Sequence, residues 1–254
     1  QETTGLNDDV LTKAAERFAR PADRFVLIGN DILEGGEGEA VLNALLNLSI
    51  LVHRGGEGSI SIYPPREHCN SQGCNDMGVT PDYLPGYRPV QSKDNSANQL
   101  WNSCKEGRIK ALYIAGEDPI RSYFKGSVVR DGLQTVPFLV VQDLVMTETA
   151  KMADIVLPTC SFAEKEGSYT NMTRHVQKVA PAILPEGSSR TDFDILMELA
   201  GELGKPFKLE SVQDVQDEIG QSIGFYQGLL SGRKYRQWAP GDHFESKIQF
   251  AVSN

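Results

Sequence analysis

The sequence has no apolar run near the roughly 20 residues that a bilayer-spanning helix needs. Its longest such stretch, around Ala40–Val52, is broken by Asn43, Asn47 and Ser49. Positive charge is not in excess: 25 Lys and Arg stand against 34 Asp and Glu, a net charge of −9. Nothing concentrates enough cations to replace phosphate counterions, which argues against a nucleic-acid surface. Cysteine is sparse. Four in 254 residues do not make a disulfide scaffold, and only Cys69 and Cys74 lie close together. An iron–sulfur or zinc centre needs further Cys or His at ligand spacing, and His53, His68, His175 and His243 do not supply it. No metal site is expected, the cysteines read as reduced thiols, and the compartment reads as the cytoplasm. No basic segment followed by an apolar one comes after Gln1, so no secretory leader is expected. A chain that opens on polar residues without Met reads as a fragment or a processed form.

What is present is an ordinary globular composition, long enough to bury one large core or two small ones. Asn7, Asp8 and Asp9 precede a helix expected over Val10–Arg20, with Leu11, Ala14, Ala15 and Phe18 along one side and Pro21 stopping it. Phe25–Ile28 predicts a buried strand, and Glu39–Val52 a second helix. Residues 53–90 are rich in Gly, Pro and Asn and lack periodicity; they are expected to form a long, irregular, site-building loop. A helix is predicted near Ala97–Lys105, then buried strands over Ile109–Ile114, Phe138–Val141 and Ile155–Leu157. A further helix, Asp192–Leu203, would turn Ile195, Leu196, Leu199 and Leu203 inward. Short apolar runs alternating with helices imply an α/β fold, a three-layer αβα arrangement around a mainly parallel sheet of about four to five strands. Residues 1–224 read as a single domain, and 225–254 as a tail or connection. Glu164-Lys165-Glu166 and Lys205–Glu218 read as solvated faces, and the Tyr83–Tyr87 region as a locally packed loop.

In an open parallel sheet, ligands sit beyond the carboxyl ends of the strands. Three predicted strand ends carry residues suited to that position: Gly116-Glu117-Asp118-Pro119, Gln142-Asp143 and Leu157-Pro158-Thr159. A glycine lets a ligand approach the backbone, and a carboxylate accepts from ribose hydroxyls. The same residues also make ordinary turns and helix caps, so spacing alone leaves both readings open.

Longer stretches narrow the choice. Gln142–Gln177 (QDLVMTETAKMADIVLPTCSFAEKEGSYTNMTRHVQ) resembles the signature segment of the molybdopterin oxidoreductase family. Asn70–Val90 (NSQGCNDMGVTPDYLPGYRPV) is similar to a segment of formate dehydrogenase catalytic subunits, with the same Asn-x-x-Gly, Asp-Met-Gly and Pro-Gly-Tyr landmarks. Gly107–Pro119 resembles the family's strand ending in Gly-Glu-Asn/Asp-Pro, and Ser189–Leu199 its Thr-Asp-Trp helix start, with Phe193 as the aromatic. The likeness runs from about Asp9 to Pro206.

The resemblance implies the formate dehydrogenase/DMSO reductase-like half of a catalytic subunit that binds one of two molybdopterin guanine dinucleotides. On that basis Gly116, Glu117 and Asp118 would line the cofactor's phosphates and ribose. Asp143, with Thr147 beside it, would take nucleoside hydroxyls or guanine, and Asp192 would face the guanine edge. Asn70, Gln72 and Gly73 would lie near the pterin, and Arg66 would orient a substrate carboxylate. His68 stands where formate dehydrogenases usually show Gln, which weakens a formate assignment. The short passage between Val90 and Trp101 and the string Arg66, Asn70, Ser71, Gln72, Gly73 look slightly more like the molybdopterin-oxidoreductase-like subunit of NADH–quinone oxidoreductase, whose parent complex passes electrons from NADH toward quinone. That branch is the first expectation, a formate dehydrogenase subunit the second, and a free-standing nucleotide-binding module the third. Iron–sulfur ligands would belong to the rest of the parent, and the partners would be that remainder and other redox subunits. Any membrane association would pass through the parent complex, and the isolated polypeptide is expected not to turn over.

Overall fold

The computed structural model describes residues 5–21, 23–29, 32, 38–54, 59–63, 65, 68–81, 83–90, 97–123, 125–228 and 235–237. Residue contacts divide the chain into two units, Gln1–Ser71 and Gln72–Asn254.

The first unit opens with α1 (Asp8–Ala19). The Asn7 side chain accepts the Val10 N–H at 2.9 Å, and Asp8 and Asp9 sit at the positive end of the helix dipole. The expected apolar side is present, yet α1 buries none of its residues. Strand β1 (Asp23–Leu27) is followed by α2 (Gly38–Arg54) and then β2 (Ser59–Tyr63), which pairs with β1 in parallel, Asp23 opposite Ser59 and Leu27 opposite Tyr63. Parallel neighbours need a crossover, and α2 supplies it. Phe25 and Tyr63 stack across the pair, ring centroids 5.3 Å apart.

Strand β2 lies inside the stretch expected to be irregular, and that expectation needs further correction. The second unit begins within α3 (Ser71–Asp76), and a small antiparallel hairpin, β3 (Tyr83–Leu84) with β4 (Arg88–Pro89), follows around a 3-10 turn at Pro85–Tyr87. Gly78 has φ +75°, and a Cβ there would stand 2.5 Å from the Pro85 nitrogen, so only glycine lets the hairpin fold back this tightly.

Next come α4 (Ala97–Lys105), β5 (Leu112–Ala115), α5 (Pro119–Ser122), α6 (Gly126–Leu133), β6 (Leu139–Asp143) and β7 (Ile155–Pro158). Strands β5, β6 and β7 form a parallel sheet in that order. Leu139 and Val141 of central β6 pack with Trp101 and Cys104 of α4 and with Val129 and Leu133 of α6, all buried. The α/β character, with parallel strands and flanking helices, agrees with the sequence reading. The parallel strands are divided between a pair and a triplet. A separate antiparallel sheet, β8 (Gly167–Thr170), β9 (His175–Val179) and β10 (Tyr235–Gln237) with β9 central, was not foreseen.

Helix α7 (Asp192–Glu202) is capped by the Thr191 hydroxyl, which accepts the Asp194 N–H at 3.1 Å. Of its expected inward residues Ile195 is buried, whereas Leu196 and Leu199 are exposed and Leu203, just past its end, is 70% exposed. Helix α8 (Val212–Ser222) is set by a reciprocal capping box between Ser211 and Asp214, where a solvated face was expected.

The second core gathers Val176, Ile223, Phe225 and Tyr226, with Met77 and Tyr87 packed against them. Packing therefore continues past residue 224, where the tail was expected to start. A polar knot sits in this core. Asp76 is fully buried and accepts from Gln72 Nε2 at 2.8 Å, Tyr87 Oη at 2.7 Å and Tyr226 Oη at 2.8 Å. Because Tyr226 donates to Asp76, its own oxygen is left to accept from Thr170 Oγ1, 2.5 Å away. The knot ties the 72–87 segment to β8 and the 3-10 turn at Gly224–Tyr226.

Burial raises the Asp76 carboxyl above its ordinary value, outweighing the three donors and the Arg174 charge. Two outcomes follow. Tyr226→Phe takes the donor from one Asp76 oxygen and an acceptor from Thr170, and urea denaturation should register a loss of about 1–3 kcal/mol. For pH the sign is set by a folded-state value above the unfolded one: the folded chain holds the extra proton, so stability falls as pH climbs from the unfolded value through the folded one. Relative to Asp76→Asn, the natural chain should lose stability over that window, and a difference independent of pH would contradict the assignment.

Candidate functional site

Because β5, β6 and β7 run parallel, their carboxyl ends open on one rim. Gly116 follows β5, Asp143 ends β6 and Thr159 follows β7. The Gly116 N–H donates to the Gln142 carbonyl at 2.8 Å. Its φ is +64°, and a Cβ built on it meets nothing within 4 Å, so the turn leaves open space over the backbone. Thr159 forms a parallel bridge with Arg190, which brings Asp192, the first residue of α7, to the same rim.

Gln142 organises this rim. It is 2% exposed, and each face of its amide is engaged. Its Oε1 accepts from the Tyr113 hydroxyl of β5, while its Nε2 donates to Asp192 Oδ1 at 2.5 Å and lies 3.4 Å from Thr159 Oγ1. Asp192 also accepts from Thr159 Oγ1 at 2.7 Å on Oδ1 and from the Lys165 ammonium on Oδ2. Burial opposes the charged form of Asp192, but the Lys165, Thr159 and Gln142 donors outweigh it and hold the carboxyl below the usual carboxylate range. Asp192 is thus an acceptor-only group with 40% of its side chain exposed. Burial and the Asp192 charge raise the Tyr113 hydroxyl. It remains a proton donor to Gln142.

The other expected residues divide. Asp118 accepts the N–H groups of Glu148 and Thr149 at 3.3 and 3.2 Å and the Thr149 hydroxyl at 2.5 Å. Its carboxylate fastens the turn after β6 to the turn after β5. Glu117 is exposed and accepts from Ser122 Oγ at 2.5 Å. Asp143 accepts the Leu144 N–H at 2.7 Å and lies 3.4 Å from Thr147 Oγ1, which in turn accepts the Ala150 N–H at 3.1 Å. Gly116, Asp143, Thr147 and Asp192 therefore gather at the rim, with Asp118 bracing it.

Gln72 is committed to the Asp76 knot, with Nε2 also 2.9 Å from the Tyr87 hydroxyl, and Gly73 is buried in α3. Asn70 is half-buried. His68 is exposed, its N–H donating to Ser71 Oγ at 3.2 Å. Arg66 lies outside the described residues. The sequence reading missed Tyr113 and Lys165. Lys165 sits in a run expected to be a solvated face; its neighbour Glu164 accepts the Ser161 and Glu186 N–H groups at 2.7 and 2.9 Å, fixing the turn from which Lys165 projects. Among the described residues no group of three or more His, Cys, Asp or Glu is arranged to hold a metal ion, and no helix is long and apolar enough to cross a membrane.

Comparison with known proteins gives this rim a lineage. Residues 9–202 match the sequence model of the molybdopterin oxidoreductase family. The chain is 33% identical over 239 residues to the NADPH-Fe(3+) oxidoreductase subunit alpha of Geobacter sulfurreducens, an alignment covering 89% of this chain and 28% of that protein. It is 31% identical over 246 residues to the F420-dependent formate dehydrogenase subunit alpha of Methanocaldococcus jannaschii, covering 90% and 37%, and 29% identical to formate dehydrogenase H of Escherichia coli, covering 86% and 33%. It thus spans about a third of the length of these relatives. Among solved structures, acetylene hydratase from Pelobacter acetylenicus superposes with a TM-score of 0.50 at 17% identity, over 65% of this chain and 23% of that one, a likeness of fold. With the family's sequence pattern matched over residues 9–202, through both units, this chain belongs to the molybdopterin oxidoreductase family.

Proposed function

We propose that the chain is the part of a formate-dehydrogenase-type molybdopterin oxidoreductase subunit that grips the guanosine tail of the cofactor. The observation that carries this reading is Asp192, an ionised carboxylate held at the strand tips by Gln142 and Thr159. Guanine presents N–H donors on its pairing edge, and an acceptor-only carboxylate is the complementary partner. The residues present fit such a group: the bare backbone at Gly116 admits close approach, and Asp143 is half-buried beside Thr147, suited to ribose hydroxyls. The bound cofactor would supply redox chemistry at its metal; the residues of this rim bind and orient its nucleotide end. Asp118 contributes by bracing the turns and does not need to touch the ligand. Asn70, Gln72 and Gly73 are assigned to the pterin side only through the family resemblance, and Arg66 and His68 to the substrate side on the same basis.

The family match across residues 9–202 takes in most of the first unit and a large part of the second, which supports reading them as pieces of one family-type region. The alpha-subunit names of the relatives support a multisubunit parent with redox partners, and the iron–sulfur centres would lie outside this chain. A second parent, the NADH–quinone oxidoreductase, rests on the resemblance of the Arg66–Gly73 string. In that case membrane association would pass through the parent complex.

Calorimetric titration of the chain with GMP and AMP tests the grip. GMP is expected to bind in preference to AMP, and Asp192→Asn should weaken GMP by about 1–3 kcal/mol, the worth of a paired donor–acceptor edge. Equal binding of the two nucleotides, or GMP binding indifferent to Asp192→Asn, would falsify the reading.

A further inference from the structure

The Asp192 carboxylate is already in use. Oδ1 accepts from Gln142 Nε2 and Thr159 Oγ1, and Oδ2 carries the Lys165 ammonium. A carboxylate offers roughly four acceptor positions, so a base edge with two N–H groups can engage both oxygens only if some of these donors withdraw. Gln142 cannot withdraw without stranding a buried amide. Thr159 can. Its single hydroxyl proton has a second acceptor in the Arg190 carbonyl at 3.2 Å, against 2.7 Å to Asp192. Lys165 can as well: its side chain is 28% exposed on a long flexible stem, while Glu164 holds the backbone of its turn.

We propose that Lys165 is a displaceable latch on Asp192, a resident donor that competes with an incoming guanine edge for Oδ2, while Thr159 frees Oδ1 by turning its proton to Arg190. This inference rests on the guanine reading of the rim and adds its regulation. The latch keeps Asp192 paired until a ligand with its own donors competes for the same oxygens. Adenine sets one amino donor beside a ring acceptor and cannot address both oxygens at once, so the exchange favours guanine, whose two donors are adjacent.

The test uses the whole chain and guanosine, whose lack of charge removes any phosphate contribution. Lys165→Met is expected to bind guanosine about fivefold more tightly, the factor a partly exposed ion pair is worth. Lys165→Arg restores the cation and should return affinity to the natural level or below, and Lys165→Gln should fall between. Raising NaCl from about 50 to about 500 mM should strengthen guanosine binding to the natural chain by about twofold, because screening loosens the latch, and leave Lys165→Met unchanged. Unchanged or weaker binding by Lys165→Met, in a chain whose melting curve shows it folded, overturns the latch; guanosine binding that still depends on Asp192 then leaves the guanine reading standing. Absence of guanosine binding in the natural chain and in every variant overturns both.

Discussion

The candidate site depends on one buried amide. Gln142 sits at the tip of the central strand, where a side chain with both a donor and an acceptor end can reach both neighbouring strands and the helix beyond them. Its oxygen takes Tyr113 from β5, and its nitrogen takes Asp192 from α7 and lies near Thr159 beyond β7. An apolar residue of the same size would fill the space but take the acceptor from the Tyr113 hydroxyl and one donor from Asp192 in a region of low dielectric. The parallel sheet supplies the rim. Gln142 decides which way the carboxylate on that rim faces.

The site also shows a division of labour among carboxylates that look alike in sequence. Asp118, Asp143 and Asp192 each stand near a strand end or a helix start. Asp118 spends its lone pairs on two backbone N–H groups and a hydroxyl 30 or so residues away in sequence. Asp143 caps its own turn. Asp192 pairs with a cation, the Lys165 ammonium on Oδ2. Asp76, in the other core, is fully buried and sees only neutral donors directly. Charge type alone predicts none of these roles, because each is fixed by what the tertiary fold places within hydrogen-bonding reach.

That contrast marks how much could be read beforehand. Strands β5, β6 and β7 were legible because continuous apolar runs bounded by Gly, Pro or Asp announce buried parallel strands, and their order carried Gly116, Asp143 and Asp192 to one rim. Strand β2, with alternating Ser and Ile, was hidden in Gly- and Pro-rich surroundings. The β8–β9 hairpin was masked by its polar sequence, its turn being set by Asn171, whose side chain accepts from Thr173 and His175. Helix α8 looked like a solvated face because most of its surface is polar. Lys165 gave no local signal: its partner is 27 residues away, and a Glu-Lys-Glu run looks the same whether or not its lysine finds a carboxylate.

The Asp76 knot bears on how the chain must be made. Its members span residues 72 to 226, and the contact from Tyr226 to Asp76 closes a loop of 150 residues. During synthesis the 72–87 segment can therefore bury Asp76 with all three donors only after Tyr226 has emerged, and such long-range closure is intrinsically slow. Any shortened version that stops before Tyr226 would leave that carboxylate short of a donor in an apolar core, so the natural boundary of this unit lies beyond the last aromatic of the 3-10 turn, not ahead of it.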